Sequence, residues 1–224
     1  MLAENLARVH ERIAQACQRC GRDPASVTLI CVTKGVPADT VGELIRLGVR
    51  DIGENRVQEA REKIQAVAAS QVRWHLIGHL QRNKAKDALA LFAMIHSVDS
   101  AALAQELQRH AAAQDRTVDV LVQVNVSGEA TKSGCAISEA AGLARHVMGL
   151  GHLKLRGLMA IPPLTEDPEQ ARPHFRKLRA LRDELSPELK LSIGMSGDFE
   201  VAIEEGADFV RVGTAIVGPG ETGH

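Results

Sequence analysis

Short apolar runs alternate along this chain with longer stretches in which apolar positions recur every three or four residues. The runs lie near Thr28–Thr33, Asp51–Gly53, Arg73–Gly78, Met94–Val98, Val118–Val126, Lys154–Ile161, Lys190–Met195 and Phe209–Val212. Such runs, bounded by turn-forming residues, read as strands covered on both faces. The longer stretches predict helices near Ala38–Leu47, Arg56–Ala68, Gln81–Leu91, Ala101–Ala113, Ser138–Met148, Pro168–Leu185 and Phe199–Glu205. A further helix precedes the first strand, from about Leu2 to Cys20, with Leu6, Val9, Ile13 and Ala16 on one face.

Strict alternation of strand and helix predicts a parallel sheet. Eight such strands in 224 residues fit a single (β/α)8 TIM-type barrel with an extra N-terminal helix, a fold of about 250 residues with a lower limit near 200. The rival is a doubly wound open sheet. Its dinucleotide-binding form wants G-x-G-x-x-G after the first strand, where Lys34-Gly35-Val36-Pro37 stands. No Pro/Gly/Ser-rich linker divides the chain, so residues 1–218 read as one barrel and 219–224 as a flexible tail.

Composition narrows the function classes. Hydrophobic residues make up 45% of the chain and the net charge is −1, which gives no electrostatic footprint for nucleic acid or anionic membrane. No segment approaches the roughly 20 apolar residues of a membrane span, and Met1-Leu2-Ala3-Glu4-Asn5 has no signal-peptide character. A cytoplasmic monomer is the expectation. Cys17 and Cys20 form a C-x-x-C pair near the end of the first helix. Reactive pairs of this kind favour a helix N-terminus, so the pair reads as packing. No metal constellation stands out, since His75 and His79 need not face one way.

The candidate chemistry begins with Lys34, at the end of the run Val27–Thr33. A lysine at the mouth of a buried strand is open to desolvation, which lowers its pKa and suits Schiff-base formation. Ser196 in Gly194-Met195-Ser196-Gly197 and Gly213-Thr214 after the last strand offer small, hydroxyl-bearing turns for a phosphate. Barrels commonly place phosphate sites in the loops after strands seven and eight. Arg211, two residues before Gly213, shares its side of the strand. Its plainer reading is a buried ion pair, with Glu54 as the nearest candidate acid; its functional reading is contact with a pyridine nitrogen. Schiff-base lysine, phosphate turns and arginine together suggest pyridoxal 5'-phosphate (PLP). Two lookalikes fail: Gly128–Ser133 lacks the glycines of a P-loop, and Gly194–Asp198 lacks the closing glycine of a nucleophile elbow.

Five segments in order resemble the YggS/PROSC family of PLP homeostasis proteins: Gly53-Glu54-Asn55-Arg56-Val57-Gln58-Glu59, His75-Leu76-Ile77-Gly78-His79-Leu80-Gln81-Arg82-Asn83-Lys84, Arg156-Gly157-Leu158-Met159-Ala160-Ile161-Pro162, Leu191–Ser196 and Val210–Ile216. The resemblance spans about Val9 to Gly218. It implies a barrel like the N-terminal domain of alanine racemase, with PLP held as an imine on Lys34, Arg211 facing the ring nitrogen, and Ser196, Gly213 and Thr214 on the phosphate. It also implies that Asn55 and Met159 line the ring, against plainer readings of helix cap and barrel core. His79 is a further candidate near the mouth. Lys132 matches a family lysine whose plainer reading is a solvated loop charge. Where family members often carry a second lysine, two positions after the first, this chain has Val36.

Racemisation on PLP needs two acid/base groups, and in alanine racemases the second is a tyrosine. This chain has none. The leading expectation is therefore a carrier that holds PLP and delivers it to PLP-dependent apoenzymes. A weak amino-acid racemase ranks second, and a cofactor-free barrel enzyme acting on a phosphorylated metabolite third.

Overall fold

The computed structural model describes residues 1–129 and 131–218; the expected tail at 219–224 lies outside them. Its strands are β1 (Thr28–Val32), β2 (Asp51–Glu54), β3 (Arg73–Leu76), β4 (Met94–Val98), β5 (Val118–Asn125), β6 (Cys135–Ala136), β7 (Leu153–Met159), β8 (Lys190–Ser192) and β9 (Phe209–Val212). All pairings are parallel, in the order β4-β3-β2-β1-β9-β8-β7-β5, and β4 also pairs with β5. Those eight strands therefore close into a barrel. The two-residue β6 is an addition at the end of β5, with Val124 opposite Cys135.

The helices are α1 (Leu2–Arg19), α2 (Ala38–Arg46), α3 (Val57–Val67), α4 (Ala85–Leu91), α5 (Ala101–Ala112), α6 (Ile137–Met148), α7 (Arg172–Leu185), α8 (Phe199–Glu204) and α9 (Thr214–Val217). They form the outer ring, and the main core lies between them and the strands. Among the described residues, the last barrel strand is followed only by the four-residue α9. The N-terminal helix makes up the deficit: α1 packs on α8 and α9, burying Leu6, Val9, Ile13, Ala16 and Cys17. Asn5 Nδ2 donates to the carbonyl of Ile216 at 2.9 Å, and Arg12 pairs with Glu200 at 2.8 Å. Cys17 sits inside this packing, where burial raises its thiol pKa. No helix among the described residues is long and apolar enough to cross a membrane.

Strand edges follow local sterics. The run expected to reach Met195 stops at Ser192, because Gly194 takes φ +90° and a Cβ there would lie 2.6 Å from the Ala202 Cβ. On β7, Gly157 faces β8 so closely that a Cβ would meet the Lys190 carbonyl oxygen at 1.9 Å. Only glycine allows that pairing.

Gly157→Ala should therefore force β7 from β8 and destabilise the fold by about 1–3 kcal/mol or more. Gly142, exposed on α6 with nothing near its missing Cβ, is the control. Gly142→Ala should stabilise by about 0.4–1 kcal/mol. Urea midpoints of both variants check the pair, and a silent Gly157→Ala would contradict the packing.

Candidate functional site

In a closed parallel sheet, side chains two residues apart share a face, and the inward ones climb toward one mouth. On β1 this series is Ile30, Val32 and Lys34; on β9 it is Phe209, Arg211 and Gly213; on β5, Leu121 and Gln123. The lower members fill the barrel: Ile30, Leu121, Met159 and Phe209 pack together. The upper members line a cavity of about 690 Å³ at the C-terminal mouth, reached by Val32, Lys34, Asn55, Gln123, Ser196, Arg211, Gly213 and Thr214. Six of the seven residues expected at the site thus converge. Met159 does not line this cavity; it is fully buried in the barrel packing.

Lys34 is exposed in the cavity wall, so the desolvation expected at a strand end is absent. The backbone on either side of it is fixed by charged groups. Buried Lys63 on α3 donates to the Thr33 carbonyl at 2.5 Å and to Glu54 and Glu59 at 2.7 and 2.6 Å. Thr33 Oγ1 donates to Glu54 Oε1 at 2.5 Å, and the Gly35 N–H donates to Glu59 Oε1 at 2.5 Å. Glu54 is fully buried; desolvation raises its pKa despite the bonds from Lys63 and Thr33. Glu54 therefore belongs to this clamp and is not the partner of Arg211. Val36, in the position of the frequent second lysine, is buried in the main core.

Arg211 is buried, and among the described residues no carboxylate pairs with it. One terminal nitrogen donates to Ser192 Oγ at 2.8 Å and the other to the Ala160 carbonyl at 2.9 Å. Desolvation pulls its pKa down to about 10, with the charge of Asp198 opposing. Ser192 Oγ in turn lies 2.9 Å from His96 Nδ1. His96 Nε2 lies 3.0 Å from His75 Nδ1, and His75 Nε2 lies 2.9 Å from Asp51 Oδ1. Arg73 binds Asp51 through two bonds of 2.7 and 2.6 Å. Burial works against the Asp51 carboxylate, but the bonds and charges of His75 and Arg73 outweigh it and hold its pKa at about 2.

The two turns expected at a phosphate meet at the mouth. Ser196 Oγ accepts long bonds of 3.3 Å from the N–H groups of Gly213 and Ala215. Asp198 Oδ1 accepts from the Met195 N–H at 2.6 Å and fixes the Ser196 turn. Gly213 also sits close to β1, where a Cβ would crowd the Val32 carbonyl oxygen at 3.2 Å. Thr214 is exposed at the start of α9. These donors and hydroxyls could turn to an incoming anion. Asn55 lines the cavity and does not cap α3, whose N-cap is Arg56. His79 lies at the rim, 3.4 Å from Asp99. Lys132 lines the cavity from a loop that Asn125 holds by bonds to the carbonyls of Glu129 and Lys132.

Sequence reasoning missed Gln123, the Glu54–Lys63–Glu59 clamp, and the chain from Arg211 to Asp51. Gln123 is buried with Oε1 lacking a hydrogen-bond partner among the described residues, an arrangement that suits a polar group entering the cavity. A signal existed: Gln123, His75, His96 and Ser192 are isolated polar residues at inward positions of apolar strands.

The chain is similar over its length to proteins of known family. A family model for the alanine racemase N-terminal domain matches residues 5–220. A pyridoxal phosphate homeostasis protein of Aquifex aeolicus is 46% identical over 220 residues, 96% of each chain. The protein of that name from Pseudomonas aeruginosa is 46% identical over 223 residues, 99% of this chain and 97% of its own. The solved structure of PipY from Synechococcus elongatus, with PLP bound, superposes with a TM-score of 0.83 at 35% identity, over 96% of this chain and 99% of PipY. The chain belongs to the alanine racemase N-terminal domain family, among the pyridoxal phosphate homeostasis proteins.

Proposed function

We propose that this protein binds PLP at the barrel mouth, holds it on Lys34 and buffers it for PLP-dependent apoenzymes. The observation that carries the reading is the convergence, in one cavity, of an exposed lysine amine, an arginine that among the described residues has no carboxylate contact, and a turn of hydroxyl and N–H groups. The donor set fits the cofactor. Lys34 would condense with its aldehyde, forming a C=N bond and releasing one water. Ser196, Gly213 and Thr214 would take the phosphate, and Arg211 would donate to the ring nitrogen. When bound, PLP supplies an electron sink whose strength depends on protonation of that nitrogen. Arg211 sets this strength: a guanidinium gives a hydrogen bond and keeps its proton, so the ring stays a weak sink. The clamp around Thr33 and Gly35 holds the amine in place without burying it, which suits a group that must capture and release.

The second reading, a weak amino-acid racemase, draws on His79 beside Asp99 at the rim, an imidazole with a carboxylate partner near the amine. Exchange at the substrate α-carbon separates the two.

Borohydride reduction of the PLP-loaded protein followed by peptide mass mapping should place the pyridoxyl adduct on Lys34; an adduct confined to Lys132 or Lys84 would refute the assignment. The double variant Ser196→Ala, Thr214→Ala should weaken PLP binding far more than pyridoxal binding, each lost charge-assisted bond being worth about 1.5–3 kcal/mol. Equal weakening would mean that these residues serve the fold alone. In heavy water the loaded protein should exchange the α-proton of L- and D-alanine no faster than free PLP while restoring activity to a PLP-dependent apoenzyme. Arg211→Glu should raise that exchange if PLP stays bound. Rapid exchange by the unmodified protein would establish the racemase reading instead.

A further inference from the structure

We infer that Ser192, His96, His75 and Asp51 form a one-way hydrogen-bond chain through the barrel interior whose task is to position Arg211 as a donor toward the cavity. The inference rests on the PLP reading for its ligand, but its geometry stands without it. Arginine has only donors, and an ionised aspartate only acceptors. Between them lie three groups that each give one proton and take one: a hydroxyl and two neutral imidazoles. The spacings are 2.8, 2.9, 3.0 and 2.9 Å from Arg211 to Asp51. With neutral rings, only one arrangement makes all four bonds. Arg211 donates to Ser192, Ser192 to His96 Nδ1, His96 Nε2–H to His75 Nδ1, and His75 Nε2–H to Asp51.

Both ends enforce this order. Arg73 and His75 keep Asp51 ionised. Burial, with the neighbouring His75 and Arg211, holds the His96 pKa well below its usual value, so that ring stays neutral. The reverse arrangement needs His75 charged and His96 protonated on Nδ1. It would leave the Ser192 proton without this acceptor and add a cation to the layer that already holds Arg211. A charged His75 would have Asp51 at 2.9 Å, so what disfavours this order is the Ser192 proton left without His96 Nδ1, not a missing counter-charge.

The chain explains how a buried guanidinium persists with no carboxylate in contact among the described residues. The charge of Asp198 supports it from a distance, and the chain makes Ser192 Oγ a polarised acceptor for it. One proton on each terminal nitrogen is committed, to Ser192 and to the Ala160 carbonyl. These two bonds pin the plane of the fork, and the remaining donors stay available to an acceptor in the cavity. A carboxylate at Arg211 would have competed for those donors. His75 and His96 touch no ligand; they are positioning residues acting through Ser192.

Two measurements test this. Nitrogen-15 NMR of ligand-free protein should find Nε2–H and bare Nδ1 on both His75 and His96, with His96 unchanged between about pH 5 and 8. An Nδ1–H tautomer at His96 would overturn the chain. The second measurement compares binding of PLP with that of an analogue carrying C–H in place of the ring nitrogen. The unmodified protein should prefer PLP by about tenfold or more, the value of one charge-assisted hydrogen bond. Ser192→Ala and His96→Leu should bring that preference close to unity while leaving affinity for the analogue unchanged. His96→Asn, whose Oδ1 can take the Ser192 proton, should recover part of it. Equal loss on both ligands, or an undiminished preference in folded variants, would overturn the positioning role. An unmodified protein that binds neither compound would defeat the PLP reading, and the histidine tautomers would still decide the chain.

Discussion

A side chain on a closed parallel sheet has two directions, in or out, and closure gives all strands the same polarity. The rest of this structure depends on that constraint. Because β4 pairs with β5, inward positions two residues apart climb toward a shared mouth. Apolar members stay low, as Ile30, Leu121 and Phe209 do, and reactive members surface together, as Lys34, Arg211 and Gly213 do. Residues almost 180 positions apart are brought into one cavity by strand parity, with no dedicated loop to gather them.

The two cations of opposite character illustrate how burial is distributed. Lys34, the reactive candidate, is left in solvent, and the burial falls on Lys63 behind it, with two glutamates and a carbonyl for company. A buried ammonium is tolerable only with such a full set of acceptors. Arg211 uses a different solution, with neutral relays reaching down to Asp51. Both devices hold Glu54, Glu59 and Asp51 away from Lys34 and Arg211, and the carboxylate that does line the cavity, Asp198, is engaged by the Met195 N–H.

Much of the fold was legible because strands buried on both faces leave compact apolar runs. All eight barrel strands stand where those runs lie, with β8 shortened by the positive φ of Gly194. The two-residue β6 left no periodic signal, and the Arg82–Lys84 turn before α4 is 3₁₀ rather than α-helical. At the site, motif order led to six of the seven residues lining the cavity, while Met159, inward on β7 and level with Gln123, is covered by the barrel packing of Ile30, Leu121 and Phe209. Lys63 could not have been found this way. On α3 it follows Glu59 by four, the spacing of an ordinary surface ion pair; only the docking of α3 against β2 buries it. The burial of His75 and His96 likewise depends on strands that the sequence orders but does not place across the barrel.

The junction of β1 with β9 carries a consequence in time rather than space. Ile30 lies opposite Arg211 and Cys31 opposite Val212, Gly213 rests on Val32, and Asn5 ties α1 to Ile216. The cavity is thus built astride the seam where the first strand meets the last. Contacts so distant along the chain form late and slowly, and no fragment lacking either edge can assemble the wall between Lys34 and Arg211. A chain synthesised only as far as β8 would carry Lys34, Asn55 and Gln123 but lack Arg211, Gly213 and Thr214, so this wall of the cavity exists only once the ring has closed.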